Sequence, residues 1–272
     1  MYRPVAIVAM LMALCQSSVA QGPAQLVDRM AQNELSAAKN DHSYWMYRAN
    51  SSDKGKAKVE EVIETPEGWM RQLISIDGKA PSAYERKRTE DEKQKFLTDA
   101  GYRRQQHDKV AQDGKKATDL LRLLPKAFIY TSAGKQGDTL QFAFRPNPGF
   151  HPPNREAKVF HAMAGTLLID AKEMRLQRLS GHLIEDVNFG GGILGKLRKG
   201  GNFEVDQAEV GRGHWEITKL DVHITGRAIF FATIKQQQHE VRSDFREVPP
   251  GTTLAKAAEL LKNTARTEIS AK

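Results

Sequence analysis

Apolar positions recur at a helical period only at the two ends and in the middle of this chain, and between those places they alternate. Over residues 24–39, Leu26, Val27, Met30, Leu35 and Ala38 return every three to five residues among polar groups, which predicts one amphipathic helix that must dock on something. Asn40-Asp41 breaks that period. The next runs, 42–50, 58–65 and 68–77, are short, rich in aromatic and branched residues, and separated by Asp53-Lys54-Gly55, Pro66-Glu67-Gly68 and Asp77-Gly78-Lys79. They predict an antiparallel meander of three strands.

After Pro81 the pattern changes again. Ser82 and Glu85 have the spacing of a capping box, and charged residues dominate from 82 to 116, with Phe96, Leu97, Tyr102 and Val110 as a sparse apolar side. This stretch predicts a solvated helical excursion at 82–116, broken at Gly101 and Gly114 and dispensable to the fold. Leu120-Leu121-Arg122-Leu123-Leu124 ahead of Pro125 predicts a separate short helix packed on the sheet. Strands then resume at 127–132 and 139–145 around a glycine-rich turn, followed by 165–170, 176–187, 202–210, 214–225 and 228–242. Pro249-Pro250-Gly251 introduces a last helix at 253–263. The expected architecture is α+β: a large curved antiparallel sheet of about ten strands, an unclosed β-barrel, with helices packed on its concave side.

The first twenty residues add an address. Arg3, the apolar run from Val5 to Leu14 and the small residues Ser18 and Ala20 have the form of a signal peptide cleaved after Ala20, and the run is too short for a spanning helix. The only cysteine, Cys15, would leave with it, so the mature chain would have neither disulfide nor thiolate chemistry. Leu14 is too large for the residue before a lipidated cysteine. Residues 21–272 are then expected to form one domain, periplasmic or secreted and monomeric. The formal charge of +8 suits an anionic envelope surface about as well as it suits simple solubility, and an exported protein would meet that surface before any nucleic acid, so no nucleic-acid partner is expected.

Motifs for chemistry are missing. Gly190 to Lys196 matches the start of a phosphate-binding loop, but Leu197 stands where a magnesium-binding hydroxyl belongs. The eight histidines show no metal-ligand spacing, and neither a G-x-S-x-G elbow nor an H-E-x-x-H helix occurs. The expectation is a protein without enzymatic activity, metal or cofactor. Strand parity instead gathers Trp45, Tyr47, Ile74, Ile76, Phe128, Tyr130, Phe142 and Phe144 as candidates for one concave apolar surface. The same alternation would also serve an ordinary core. Phe150, within a proline-rich loop, and the basic edge Lys196, Arg198 and Lys199 are candidates for the rim and a headgroup.

Taken in order, the amphipathic helix, the meander over 42–65 and 69–79, the helical block and the long antiparallel run that includes 176–187 resemble the LolA/LolB-like superfamily of periplasmic lipoprotein carriers and related envelope proteins. The resemblance rests on element order and implies an unclosed barrel that holds acyl chains. It implies carriage of a lipid or a lipidated protein. The alternative is a structural or regulatory envelope protein that binds another protein through the curved sheet.

Overall fold

The computed structural model describes residues 21–53, 55–189, 195–228 and 237–270. The leader expected at 1–20, the centre of the glycine-rich segment and the middle of the strand expected at 228–242 lie outside the described residues. In chain order the elements are α1 (Pro23–Asn40), β1 (Trp45–Asp53), β2 (Lys56–Thr65), β3 (Gly68–Ile76), α2 (Ala83–Thr98), α3 (Ala100–Ala127), β4 (Phe128–Gln136) and β5 (Thr139–Pro146). A 3-10 helix (Glu156–Ala162) precedes β6 (Met163–Asp170), β7 (Leu176–Leu183), β8 (Val187–Phe189), β9 (Gly195–Leu197), β10 (Asn202–Gly211), β11 (His214–His223), β12 (Gly226–Ala228), β13 (Gln237–Glu247) and α4 (Leu254–Ser270). Ten strands form one antiparallel sheet in the order β3-β2-β1-β13-β11-β10-β7-β6-β5-β4, which does not close, and β12-β9-β8 form a small second sheet. The expected α+β architecture is therefore present.

The meander turns where the sequence places them. Asp77 and Gly78 both take positive φ, 50° and 73°, the left-handed geometry that a tight two-residue turn requires. The predicted capping box also forms: Ser82 Oγ accepts from Glu85 N at 3.3 Å, while Glu85 Oε2 accepts from Ser82 N at 2.8 Å.

Parity assigns the helices to faces. Met46, Ile63 and Met70 are direct partners on β1, β2 and β3 and pack against Phe96 of α2 and Ala257 and Leu261 of α4. Their neighbours Trp45, Tyr47 and Val62 point the other way, to a front face on which Phe142, Leu167, Leu179, Val205 and Leu220 follow one another as cross-strand partners. On that front face α1 and the C-terminal end of α3 cover β4 to β7. α1 and α3 thus cover one end of the sheet from the front, and α2 and α4 cover the other end from the back. The β10–β11 hairpin runs past β13 and curls forward, bringing the Trp45 ring against Gly211 and His214.

Two departures concern α2 and α3. The excursion at 82–116 is not wholly solvated, because Phe96 is 4 % exposed and Lys93 7 %, the latter reaching Gln72 at 3.0 Å. Helix α3 is also continuous from Ala100 to Ala127. Gly114 lies inside it with ordinary helical backbone, and Pro125 falls in its last turn instead of ending a separate helix. The carbonyl of Leu124, left over at that end, accepts a 2.8 Å hydrogen bond from the Tyr130 hydroxyl.

Candidate functional site

On β4 and β5 the predicted aromatic residues come together and are already covered. Phe128, Tyr130, Phe142 and Phe144 lie in one cluster with Val27 and Met30 of α1 and Leu124 of α3, each no more than 9 % exposed. The rings meet each other, Phe128 and Phe144 at 4.6 Å between centroids. This end of the front face is a filled core. Phe150 belongs to the same core, its ring 6.3 Å from that of Phe160, so it is not available at a rim. Trp45 and Tyr47 occupy a second cluster further along the same face. Ile74 and Ile76 join neither: Ile74 is the extra residue of an irregular pairing in which Glu60 meets Leu73 and Val59 meets Ser75. Parity counted from the sequence alone misses such a shift. Lys196, Arg198 and Lys199 stand on and beside β9 in the small sheet, over its own core of Leu183, Val187, Phe189 and Leu197. Lys196 Nζ is paired there with Asp186 at 2.7 Å.

Between the filled core and the Trp45–Tyr47 cluster, the front face holds half-buried Leu179, Phe203, Val205 and Leu220 on β7, β10 and β11. Where that apolar strip ends, ionisable side chains begin. Arg242 lies over the Tyr47 ring, 5.0 Å from its centroid, and its Nε donates to Glu240 Oε1 at 2.7 Å. Burial works against the Arg242 charge, but Tyr47, Glu240 and Glu64 hold the guanidinium more firmly protonated than usual. Burial pushes the Tyr47 hydroxyl up to about 12. It also raises Glu64, against the opposing hydrogen bond from the backbone N–H of Trp45. Glu216 is pushed up to about 7, first by burial and then by the neighbouring Glu64 carboxylate. Three carboxyls, those of Glu64, Glu216 and Glu240, with one arginine and one tyrosine on a largely buried sheet face, are what a site needs to hold a polar group away from water.

Asp41, Ser43 and His214 lie next to this cluster. Asp41 Oδ2 is 2.8 Å from His214 Nδ1, and Ser43 Oγ is 3.3 Å from that same nitrogen. Burial tends to raise Asp41, but hydrogen bonds from His214 and Ser43 outweigh it and hold the carboxyl below its ordinary value. The arrangement is not a nucleophilic relay, which needs the serine and the aspartate on opposite ring nitrogens. Ser43 Oγ instead donates to Asp41 Oδ1 at 2.7 Å and accepts from Trp45 Nε1 at 2.9 Å, so the network locks the indole. Among the described residues no group of three or more His, Cys, Asp and Glu side chains is placed to hold a metal ion.

The ionisable cluster was not predicted. Part of its signal was present in the strand at 214–225, whose His214 and Glu216 are polar where Leu220 and Val222 are apolar, but a bulge at Thr218, where Lys219 meets Asp206 and Ile217 meets Gln207, shifts the parity between the two pairs and hides the cluster from a simple alternation. Comparisons with family models, curated proteins and solved structures found no match to this chain.

Proposed function

We propose that this protein is a non-enzymatic binding or carrier protein of the cell envelope for a lipid or a lipidated protein. The observation that carries the reading is the strip of half-buried Leu179, Phe203, Val205 and Leu220, bounded on one side by the α1–α3 core and on the other by Arg242, Glu216 and Glu64. An acyl chain laid across the strands would gain about 0.8 kcal/mol per buried CH₂ before ordering costs. Its polar end would meet a site that offers both a fixed cation and a carboxyl able to be neutral near pH 7. The element order that resembles the LolA/LolB-like superfamily, and the leader expected at 1–20, support the same setting. The test is displacement of a fluorescent fatty acid by extracted envelope lipids, in the parent and in Leu220→Lys. Binding by the parent and its loss in the folded variant is the expected result. Equal binding by both would sink the proposal.

A specific observation favours a second reading. The core over β4 to β7 is filled, so this end of the sheet has no room for an acyl chain. If the folded parent binds no fatty acid, the front face serves instead to bind another envelope protein.

A further inference from the structure

On the back of the sheet, beyond the strands that α2 and α4 cover, lies a groove of about 640 Å³ across β6, β7, β10 and β11. Cross-strand pairing sets its walls in two rows: Thr166, Ser180, Glu204 and Asp221 in one, Ala164, His182 and Asn202 in the other. Its floor is the paired Gly165 and Gly181. A Cβ on Gly165 would overlap the Ser180 carbonyl oxygen, so that position needs glycine, while one on Gly181 would stand 2.8 Å from Phe203 Cε1 and push that ring aside; the rings of Phe144 and Phe203 thus come up against the floor. The size is that of an ordinary small-ligand site.

Three features choose the ligand. These strands are internal to the sheet, so their backbone groups are spent in the ladder and no peptide can add as a further strand. Recognition must come from side chains, and those present are hydroxyls, an amide, an imidazole and carboxylates, a set that both donates and accepts. Finally, the carboxylates already have partners: Lys219 Nζ forms an ion pair with Glu204 Oε1 at 2.6 Å, and the His239 imidazole Nδ1 lies 3.4 Å from Asp221 Oδ2, a contact that is ionic only when the ring is protonated. A charged ligand would have to displace those partners. A neutral polyol would not, and the C–H face of a sugar ring would suit the apolar floor.

We propose that this back-face groove binds a neutral glycan strand. Its hydrogen-bonding side chains lie on the side of the sheet opposite the front-face strip, and the two readings share only the Phe203 ring, which backs the glycine floor. Thr166 Oγ1 and Ser180 Oγ, 2.8 Å apart, offer a sugar hydroxyl a shared donor and acceptor, and exposed Asn202 offers its amide from the next row. The experiment is a calorimetric titration of the full chain with the hexasaccharides of β-1,4-linked N-acetylglucosamine, β-1,4-linked glucose and α-1,4-linked glucose, each up to about 10 mM. Thr166→Val and Asn202→Ala are the groove variants, both at exposed positions that should fold normally, with Leu220→Lys as the front-face control. The expected result is saturable binding of at least one hexasaccharide, weakened about tenfold or more in each groove variant and unchanged in Leu220→Lys. No binding of any of the three, or binding that the folded groove variants retain in full, would overturn it.

Discussion

Glu61 is fully buried, and its carboxylate is divided between two arginines: Arg48 Nε and Nη2 reach Oε1 at 3.1 and 3.0 Å, and Arg246 Nη2 reaches Oε2 at 2.7 Å. Removing the carboxylate leaves two guanidinium groups facing each other beneath α4, so Glu61→Ala is expected to cost about 3 kcal/mol, read from urea unfolding. Glu216 gives a prediction with the opposite sense. The folded state keeps it protonated to about pH 7, whereas the unfolded chain releases the proton near the ordinary glutamate value of 4.5. Between those values the native state binds the extra proton, so the Glu216 contribution falls as pH rises from about 4.5 through about 7. Glu216→Gln should therefore be more stable than the parent at pH 8, by about 2 kcal/mol after allowance for partial exposure, and should show a flatter pH dependence of stability over that window. Matching curves for parent and variant would contradict the burial of its charge. At this scale the inward direction of Trp45 and Tyr47 was legible from strand parity. The buried charges were not, because sequence shows a glutamate on a strand without showing which face the curl of the sheet closes over.

Elements were easier to read than their lengths. The three-strand meander, the capping box at Ser82 and the C-terminal helix all follow from local turn and cap chemistry, which acts within a few residues. The continuity of α3 does not. Gly114 costs a helix roughly 1 kcal/mol, and only the docking of both helix ends outweighs it. Nothing lies within 4 Å of where a Gly114 Cβ would stand and its φ is not positive, so Gly114→Ala should raise stability by about 1 kcal/mol in thermal or urea unfolding. A decrease would mean that the helix is broken there, as the sequence suggested. Helix α2 allows a matched pair. Phe96→Ala removes a ring packed on Met70 and Leu261 and is expected to cost about 3 kcal/mol, while Tyr84→Ala, at a side chain 74 % exposed, should stay within about 0.5 kcal/mol of the parent.

For the whole molecule, the decisive relation is between the two edges of the sheet. β3 and β4 are consecutive strands in sequence, yet they lie at opposite edges of the ten-stranded order. The chain must cross that gap, and α3 touches both sides of it: Arg103 Nε pairs with Glu67 Oε2 at the β2–β3 turn at 2.5 Å, and Leu124 and Ala127 enter the core beneath β4. A helix of 28 residues is about 42 Å long, so the separation of the edges and the length of α3 are one quantity. The charged, exposed middle of the helix therefore matters for its reach and not for its side chains. Deleting residues 104–117 would shorten α3 by about 21 Å and should abolish the cooperative melt, because the two helix ends could no longer dock at their own edges. Replacing the same residues with an equally long alanine, glutamate and lysine helix should preserve both the β signal in circular dichroism and the melting cooperativity. If the deletion melts like the replacement, the edges are not held apart by α3, and the excursion is the dispensable decoration that its composition suggested.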